Sequence, residues 1–175
     1  MIWLGFILLA VVLVFGLVVF RGAPYVPSSK KYIQQALTEL YPLNSTDLLV
    51  DIGSGDGVVL RQASKLGAQA IGYEINPILV YISYFLSRKD KNVTVKLADF
   101  WMTNFPPNTT VVYVFSVTRD MDKIAKRIQT EADRLGKKIN LIVYGGQIKD
   151  MKSIKSVGAY CLYEFHSLQL VNPQV

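Results

Sequence analysis

Hydrophobic positions divide the chain into one long apolar stretch followed by a regular alternation of short apolar runs and amphipathic segments. From Ile2 to Phe20 there is no charged or strongly polar side chain. At about 1.5 Å rise per residue, a helix of that length just spans a hydrocarbon core of about 30 Å. The pattern therefore predicts a transmembrane anchor over residues 1–21. A cleaved signal peptide would begin with positive charge, carry a shorter apolar run and end in small residues; this stretch begins Met1-Ile2-Trp3 and ends Phe20-Arg21. Residues 22–46 read as a linker and a first helix. Gly22-Ala23-Pro24-Tyr25-Val26-Pro27-Ser28 contains two prolines that exclude a helix. Ser28 or Ser29 caps a helix with apolar positions Ile33, Ala36, Leu37 and Leu40, which Pro42 stops.

In residues 47–175 strand and helix patterns alternate. Leu48 to Ile52 is a short apolar run ending in glycines, as in a fully buried parallel strand. A helix from about Val58 to Leu66 ends at Gly67, Ala68 to Glu74 forms a second strand, and Asn76-Pro77 opens a helix running to about Ser87. Val93 to Leu97 and Thr110 to Phe115 are the third and fourth strands. Thr118 caps a helix with Asp120 and Asp122 in its first turn and Met121, Ile124, Ala125, Ile128 and Leu135 on its apolar side, ended by Gly136. Ile139 to Tyr144 is a fifth strand, and Ala159 to Leu170 a long final strand or hairpin. Such alternation implies an α/β, Rossmann-like, doubly wound and mostly parallel sheet.

The most informative segment is Asp51-Ile52-Gly53-Ser54-Gly55-Asp56-Gly57. A buried strand that runs into three glycines makes a tight turn whose backbone can approach a ligand closely. A dinucleotide site asks for Gly-x-Gly-x-x-Gly with pyrophosphate on a helix N-terminus. Here the spacing is Gly-x-Gly-x-Gly, and Asp51 and Asp56 would oppose pyrophosphate; they suit a cationic ligand such as S-adenosylmethionine. Glu74 falls at the end of the next strand, where a carboxylate can accept from both ribose hydroxyls. Asp99-Phe100-Trp101 follows the third strand, where an acid can take an adenine amino group beside a stacking ring. Asp51, Gly53, Ser54, Gly55, Asp56, Gly57, Glu74, Asn76, Asp99 and Phe100 are accordingly the cofactor-binding candidates.

These residues resemble the class I S-adenosylmethionine-dependent methyltransferases. The membrane segment, the Pro24-Tyr25-Val26-Pro27-Ser28 element, the glycine turn and Gly72-Tyr73-Glu74-Ile75-Asn76-Pro77 together resemble, more narrowly, the small membrane-anchored lysine methyltransferases of the adenine nucleotide translocase and the ATP synthase c subunit. A short N-terminus without a transit-like leader would suit a prokaryotic member. The resemblance implies that the acceptor is a lysine of a membrane protein and that Tyr25 to Ser28 help form the active site. Methyl transfer to an amine is an in-line displacement governed by alignment and exclusion of water, and it requires no dedicated base. Tyr25, Ser28 and Ser116 are the candidates to position the acceptor, with Tyr144 a further tyrosine able to orient an amine.

Charge adds direction. The net charge is +6, and several of the acids lie in the candidate site, so the remaining surface is more basic than the total. Lys30, Lys31, Arg88, Lys89, Lys91, Lys126, Arg127, Lys137, Lys138, Lys149, Lys152 and Lys155 can face anionic head groups, an acidic protein or nucleic acid, or form a solvated basic surface. Arg21, Lys30 and Lys31 follow the apolar stretch, so the positive-inside rule turns the domain to the cytoplasm, or to the matrix in a mitochondrion. The sequons at Asn44, Asn92 and Asn108 are then unmodified. The lone cysteine, Cys161, reads as a core residue, His166 as structural, and no cluster points to a metal. The fourth strand ends Val114-Phe115-Ser116-Val117 and lacks the Asp/Asn-Pro-Pro-Tyr that holds planar nitrogens, which disfavours nucleic acid. An RNA or small-molecule methyltransferase, and a non-catalytic membrane-bound interaction module, stand as the alternatives.

Overall fold

The computed structural model describes residues 29–115 and 120–168, with residues 3–6 and 9. Most of the apolar stretch 2–20, Tyr25, Ser28, Ser116 and Thr118 lie outside the described residues. Among the described residues no helix is long and apolar enough to cross a membrane. The described residues include seven strands in one sheet: β1 (Leu48–Ile52), β2 (Gln69–Glu74), β3 (Val93–Leu97), β4 (Val111–Phe115), β5 (Ile139–Tyr144), β6 (Lys155–Val157) and β7 (Tyr160–Phe165). Their order is β3-β2-β1-β4-β5-β7-β6. The pairs from β3 to β5 are parallel, and β7 is antiparallel to both β5 and β6. Strand order reverses between β1 and β4, so the carboxyl ends of these two strands flank the crevice in which open α/β sheets bind ligands.

Both faces of the sheet are covered, which is why β1, β4 and β5 are apolar in nearly every position. On one face α1 (Lys30–Gln35), α2 (Val58–Lys65) and α3 (Pro77–Ser87) lie over the sheet. Ile33, Leu37, Leu60 and Ala63 form a core there with Leu49, Val111 and Ile142. On the other face α4 (Met121–Leu135) buries Met121, Ile124, Ile128 and Ala132 against Val50, Val112, Leu141 and Tyr163.

The final element is a hairpin turned at Gly158, not one long strand: β6 is an added short edge and β7 stops at Phe165. The first helix departs from a plain α-helix, because Ala36–Leu40 continues α1 as a π-helical turn. Tyr41 must leave the helix because Pro42 follows it. It is extended, with φ −130° and ψ 102°, and its N–H closes a wide turn onto Ala36 O at 3.0 Å. Ile33, Ala36, Leu37 and Leu40 are buried nonetheless. Ser29 occupies the N-cap position, but through its carbonyl, which accepts from Ile33 N; its side chain makes no capping bond.

Candidate active site

Register brings the three acids to one edge. Asp51 pairs with Gly72, two residues before Glu74, and Glu74 pairs with Leu97, two residues before Asp99. All three therefore stand at or just past the carboxyl ends of β1, β2 and β3. After Ile52 the chain folds back over β2, with the N–H groups of Gly53 and Ser54 both donating to Tyr73 O at 2.9 and 3.1 Å. This reversal needs left-handed backbone: Gly53 has φ +81° and Gly57 φ +78°, a region costly for any residue with a Cβ. A Cβ at Gly53 would meet nothing within 4 Å, so open space lies above that residue. One at Gly57 would stand 2.1 Å from Ser83 Oγ, so α3 presses directly on the turn.

Each acid has a distinct environment. Asp51 is buried, and among the described residues no group donates a hydrogen bond to its side chain. Burial pushes its carboxyl well above the usual range, and the neighbouring Glu74 and Asp56 charges push it further. Glu74 is also buried, but its oxygens accept from Gly55 N at 2.9 Å and Asn76 N at 2.8 Å. It thus ties the glycine turn to the start of α3 and keeps further lone pairs for hydroxyl donors. Asp56 gives its charge to Arg61, 3.2 Å away, and caps Val58 N at 3.2 Å. It fastens the turn to α2. Asn76 caps α3 by accepting from Ile78 N, while its buried amide nitrogen and the buried Ser54 hydroxyl lack partners among the described residues.

Asp99 is exposed and heads a turn, accepting from Trp101 N at 2.9 Å. Phe100 is partly drawn into the core, its ring 4.3 Å from that of Trp101, so Trp101 is the more exposed of the two aromatic faces. Tyr144 lies between the rings of Phe115 and Tyr160, at 5.4 and 4.7 Å. Packing among rings accounts for its placement. Cys161 is buried on β7, and His166 is exposed, with Nε2 3.4 Å from a Glu164 carboxylate oxygen.

Sequence reasoning missed what holds the segment carrying Asp99. Between β3 and β4 the chain has no helix or strand, and α4 clamps it from below. Glu131, fully buried, accepts from Phe105 N at 2.9 Å. Arg127 and Arg134 form ion pairs with Glu131 at 2.9 and 2.5 Å, and they donate to Thr103 O and Phe105 O. Arg127, expected on the basic surface, is therefore drawn inward. The signal was present: Glu131 follows Ile124 and Ile128 on the apolar stripe of α4, where a solvated acid has no place.

A cluster of buried, desolvated carboxylate beside unpartnered donors, under an open glycine turn, fits a ligand that is cationic at one end and rich in hydroxyls. S-adenosylmethionine has both. Asp51 would meet its ammonium group, Glu74 its ribose hydroxyls, and Asp99 with Trp101 its adenine. The residues present fit that cofactor. Glu74→Gln keeps the size of the side chain but turns an amide donor toward one of two N–H groups. It should lower cofactor affinity roughly tenfold, about 1.4 kcal/mol, measured by titration calorimetry; unchanged affinity would remove Glu74 from the site.

The family model described as ANTKMT methyltransferase domain matches residues 51–152, from the acid near the end of β1 to the segment after β5. The chain belongs to that family. Among curated relatives, an ATP synthase c-subunit lysine N-methyltransferase of Xenopus laevis is 37% identical over 111 residues, covering 62% of this chain and 48% of the relative. The protein of the same name from Homo sapiens is 34% identical over 113 residues, covering 63% and 47%. The chain thus spans about half the length of the curated relatives it matches. Among solved structures, an RNA methyltransferase from Salinibacter ruber in complex with S-adenosyl-L-homocysteine superposes with TM-score 0.71 at 23% identity, over 80% of this chain and 92% of that one. The 23S rRNA methyltransferase ErmE gives 0.57 at 18% identity, over 69% and 48%. These two likenesses are of fold.

Proposed function

We propose that the protein is an S-adenosylmethionine-dependent methyltransferase that methylates a lysine side chain of a membrane protein. The observation that carries this reading is the buried Asp51 carboxyl, without a hydrogen-bond donor among the described residues and next to Glu74, inside the stretch that matches the methyltransferase family. The names of the relatives support the acceptor class. When bound, the cofactor supplies a methyl group on a sulfonium centre to an attacking amine. The chain's part is to hold the reacting partners in line. Asp51 and Glu74 fix two ends of the cofactor, the glycine turn approaches it closely, and the β1/β4 crevice removes water, which favours the neutral amine. Beside the carboxyl end of β5 a cavity of about 430 Å³ is lined by Asp122, Gln147, Ile148, Lys149 and Asp150. Its two carboxylates outweigh the one Lys149 ammonium group, which leaves a net negative charge for an incoming ammonium group. Tyr25, Ser28 and Ser116 are proposed to position the acceptor.

Residues 2–20 are proposed to anchor the domain in the bilayer, with the catalytic domain on the Lys/Arg-rich side, cytoplasm or matrix. The support is the unbroken apolar sequence followed by Arg21, Lys30 and Lys31. An anchor raises the effective concentration of membrane-embedded acceptors and gives little advantage toward soluble ones. Deleting residues 1–21 should leave cofactor affinity within about twofold and lower methylation of the membrane acceptor at least about tenfold, in keeping with the gains available from tethering. Methylation by the truncated protein at the full-length rate in intact membranes would contradict the anchor.

A further inference from the structure

Helix α3 is built inside out. The positions it buries are Leu79, Ser83 and Ser87, two of them small and polar, with hydroxyls that find no partner among the described residues. The positions it exposes are large and apolar: Tyr81 at 69%, Tyr84 at 64%, Phe85 at 52%, Leu86 at 50% and Ile82 at 39%. The serines let α3 approach the glycine turn closely, since Ser83 Oγ occupies the space a Cβ on Gly57 would need. Close approach explains the inward face and leaves the outward one exposed among the described residues. Leu97, at the end of β3, adds to it at 60% exposure. A contiguous apolar face of this kind on a folded domain marks a contact with a partner or a membrane.

The charges around this face choose the occupant. From Pro77 to Leu86 the helix contains no acid or base, and its end carries Arg88, Lys89 and Lys91, all exposed. Arg88 lies over the Phe85 ring at 4.1 Å. The acid among them, Asp90, is engaged by Ser64 Oγ and Asn92 N. Two copies of α3 packed together would bring no carboxylate to these cations. Anionic lipid head groups would, while Tyr, Phe, Ile and Leu enter the boundary between head groups and acyl chains, where amphipathic aromatic rings are at home. We propose that the outward face of α3 lies on an anionic bilayer surface, with Tyr81, Tyr84 and Phe85 in the interface and Arg88, Lys89 and Lys91 among the head groups. α3 starts at Pro77 and is capped by Asn76, whose N–H donates to Glu74, so this contact fixes the cofactor site at a set height above the membrane. It is distinct from the basic group Lys149 to Lys155, which follows β5 beyond the sheet's switch point.

The test uses the full chain in vesicles of phosphatidylcholine and phosphatidylglycerol, recovered by flotation, with a nitroxide on Phe85→Cys and, as control, on Thr130→Cys. Thr130 is exposed on α4, on the opposite sheet face, and the native Cys161 is buried. The label at 85 should collide with oxygen in preference to an aqueous nickel complex, with a ratio several-fold above that at 130. Arg88→Glu with Lys89→Glu should shift that ratio toward the aqueous value. A label at 85 as open to nickel as the one at 130, or one shielded only after a membrane protein is added to the vesicles, overturns the proposal. The samples contain neither cofactor nor acceptor, so the outcome is independent of the methyl-transfer reading.

Discussion

Replacing Glu131 by alanine should destabilise the domain by about 3–5 kcal/mol, the usual loss when one partner of a buried ion pair is removed. For a chain of this size that corresponds to a fall in Tm of roughly 10 °C. The carboxylate is completely buried, faces Arg127 and Arg134, and accepts from Phe105 N. Its removal strands two cations and one backbone donor beneath the segment that joins β3 to β4. The same segment bears Asp99 and Trp101, so cofactor affinity should fall with stability although Glu131 is not placed in contact with the cofactor. Glu131→Gln keeps an acceptor for Phe105 N and should lose less. Thermal unfolding of the two variants in detergent checks this; an alanine variant as stable as the parent would mean that the clamp contributes nothing.

Asp51→Asn is expected to separate binding from stability in opposite directions. A charge-assisted bond to the cofactor's ammonium is worth up to about 3 kcal/mol, so affinity should drop roughly a hundredfold. In the free protein, however, the carboxyl is buried beside Glu74 and Asp56, and burial first, then those charges, hold its pKa well above the usual value. A folded-state pKa raised above the unfolded one gives a contribution fully present below the unfolded pKa and lost as pH rises through the folded pKa. That contribution fades as pH rises through the raised pKa, whereas asparagine has no charge to bury, so the variant's melting temperature should rise relative to the parent's with increasing pH. Affinity runs the other way: cofactor binding should tighten as pH rises through the raised pKa, and Asp51→Asn should abolish that dependence. Calorimetry across pH, with melting curves of the free proteins, measures both. Equal cofactor affinity in the variant would remove Asp51 from the site.

The strand and helix alternation was legible because β1, β4 and β5 are covered on both faces and α4 on one, so apolar runs and an amphipathic stripe follow directly from burial. Asp51, Gly53, Gly57, Glu74 and Asp99 were legible as a group because a tight turn at a strand end requires glycines, and acids at successive strand ends fall on one edge of a parallel sheet. Asp56 illustrates the limit: its position in the loop was readable, its partner Arg61 was not, since a salt bridge from the loop to a helix residue five positions on leaves no periodic trace. The inverted burial of α3 was equally hidden. Its composition, rich in apolar residues on every side, does not say which side turns inward, and the choice is made by how closely Ser83 can approach Gly57. The β6–β7 hairpin was only half visible because Lys155 to Val157 is an exposed edge strand with little apolar pattern.

Transfer of a methyl group from S-adenosylmethionine to lysine of a membrane protein is tested by following that group. Membranes lacking the protein are incubated with the full-length chain and methyl-labelled cofactor, then separated into membrane protein, soluble protein and RNA, and hydrolysed to amino acids and nucleosides. Label is expected as methylated lysine in the membrane-protein fraction, lost with Asp51→Asn at limiting cofactor. Label confined to RNA or to soluble proteins, or no incorporation by a chain that binds the cofactor, would contradict it.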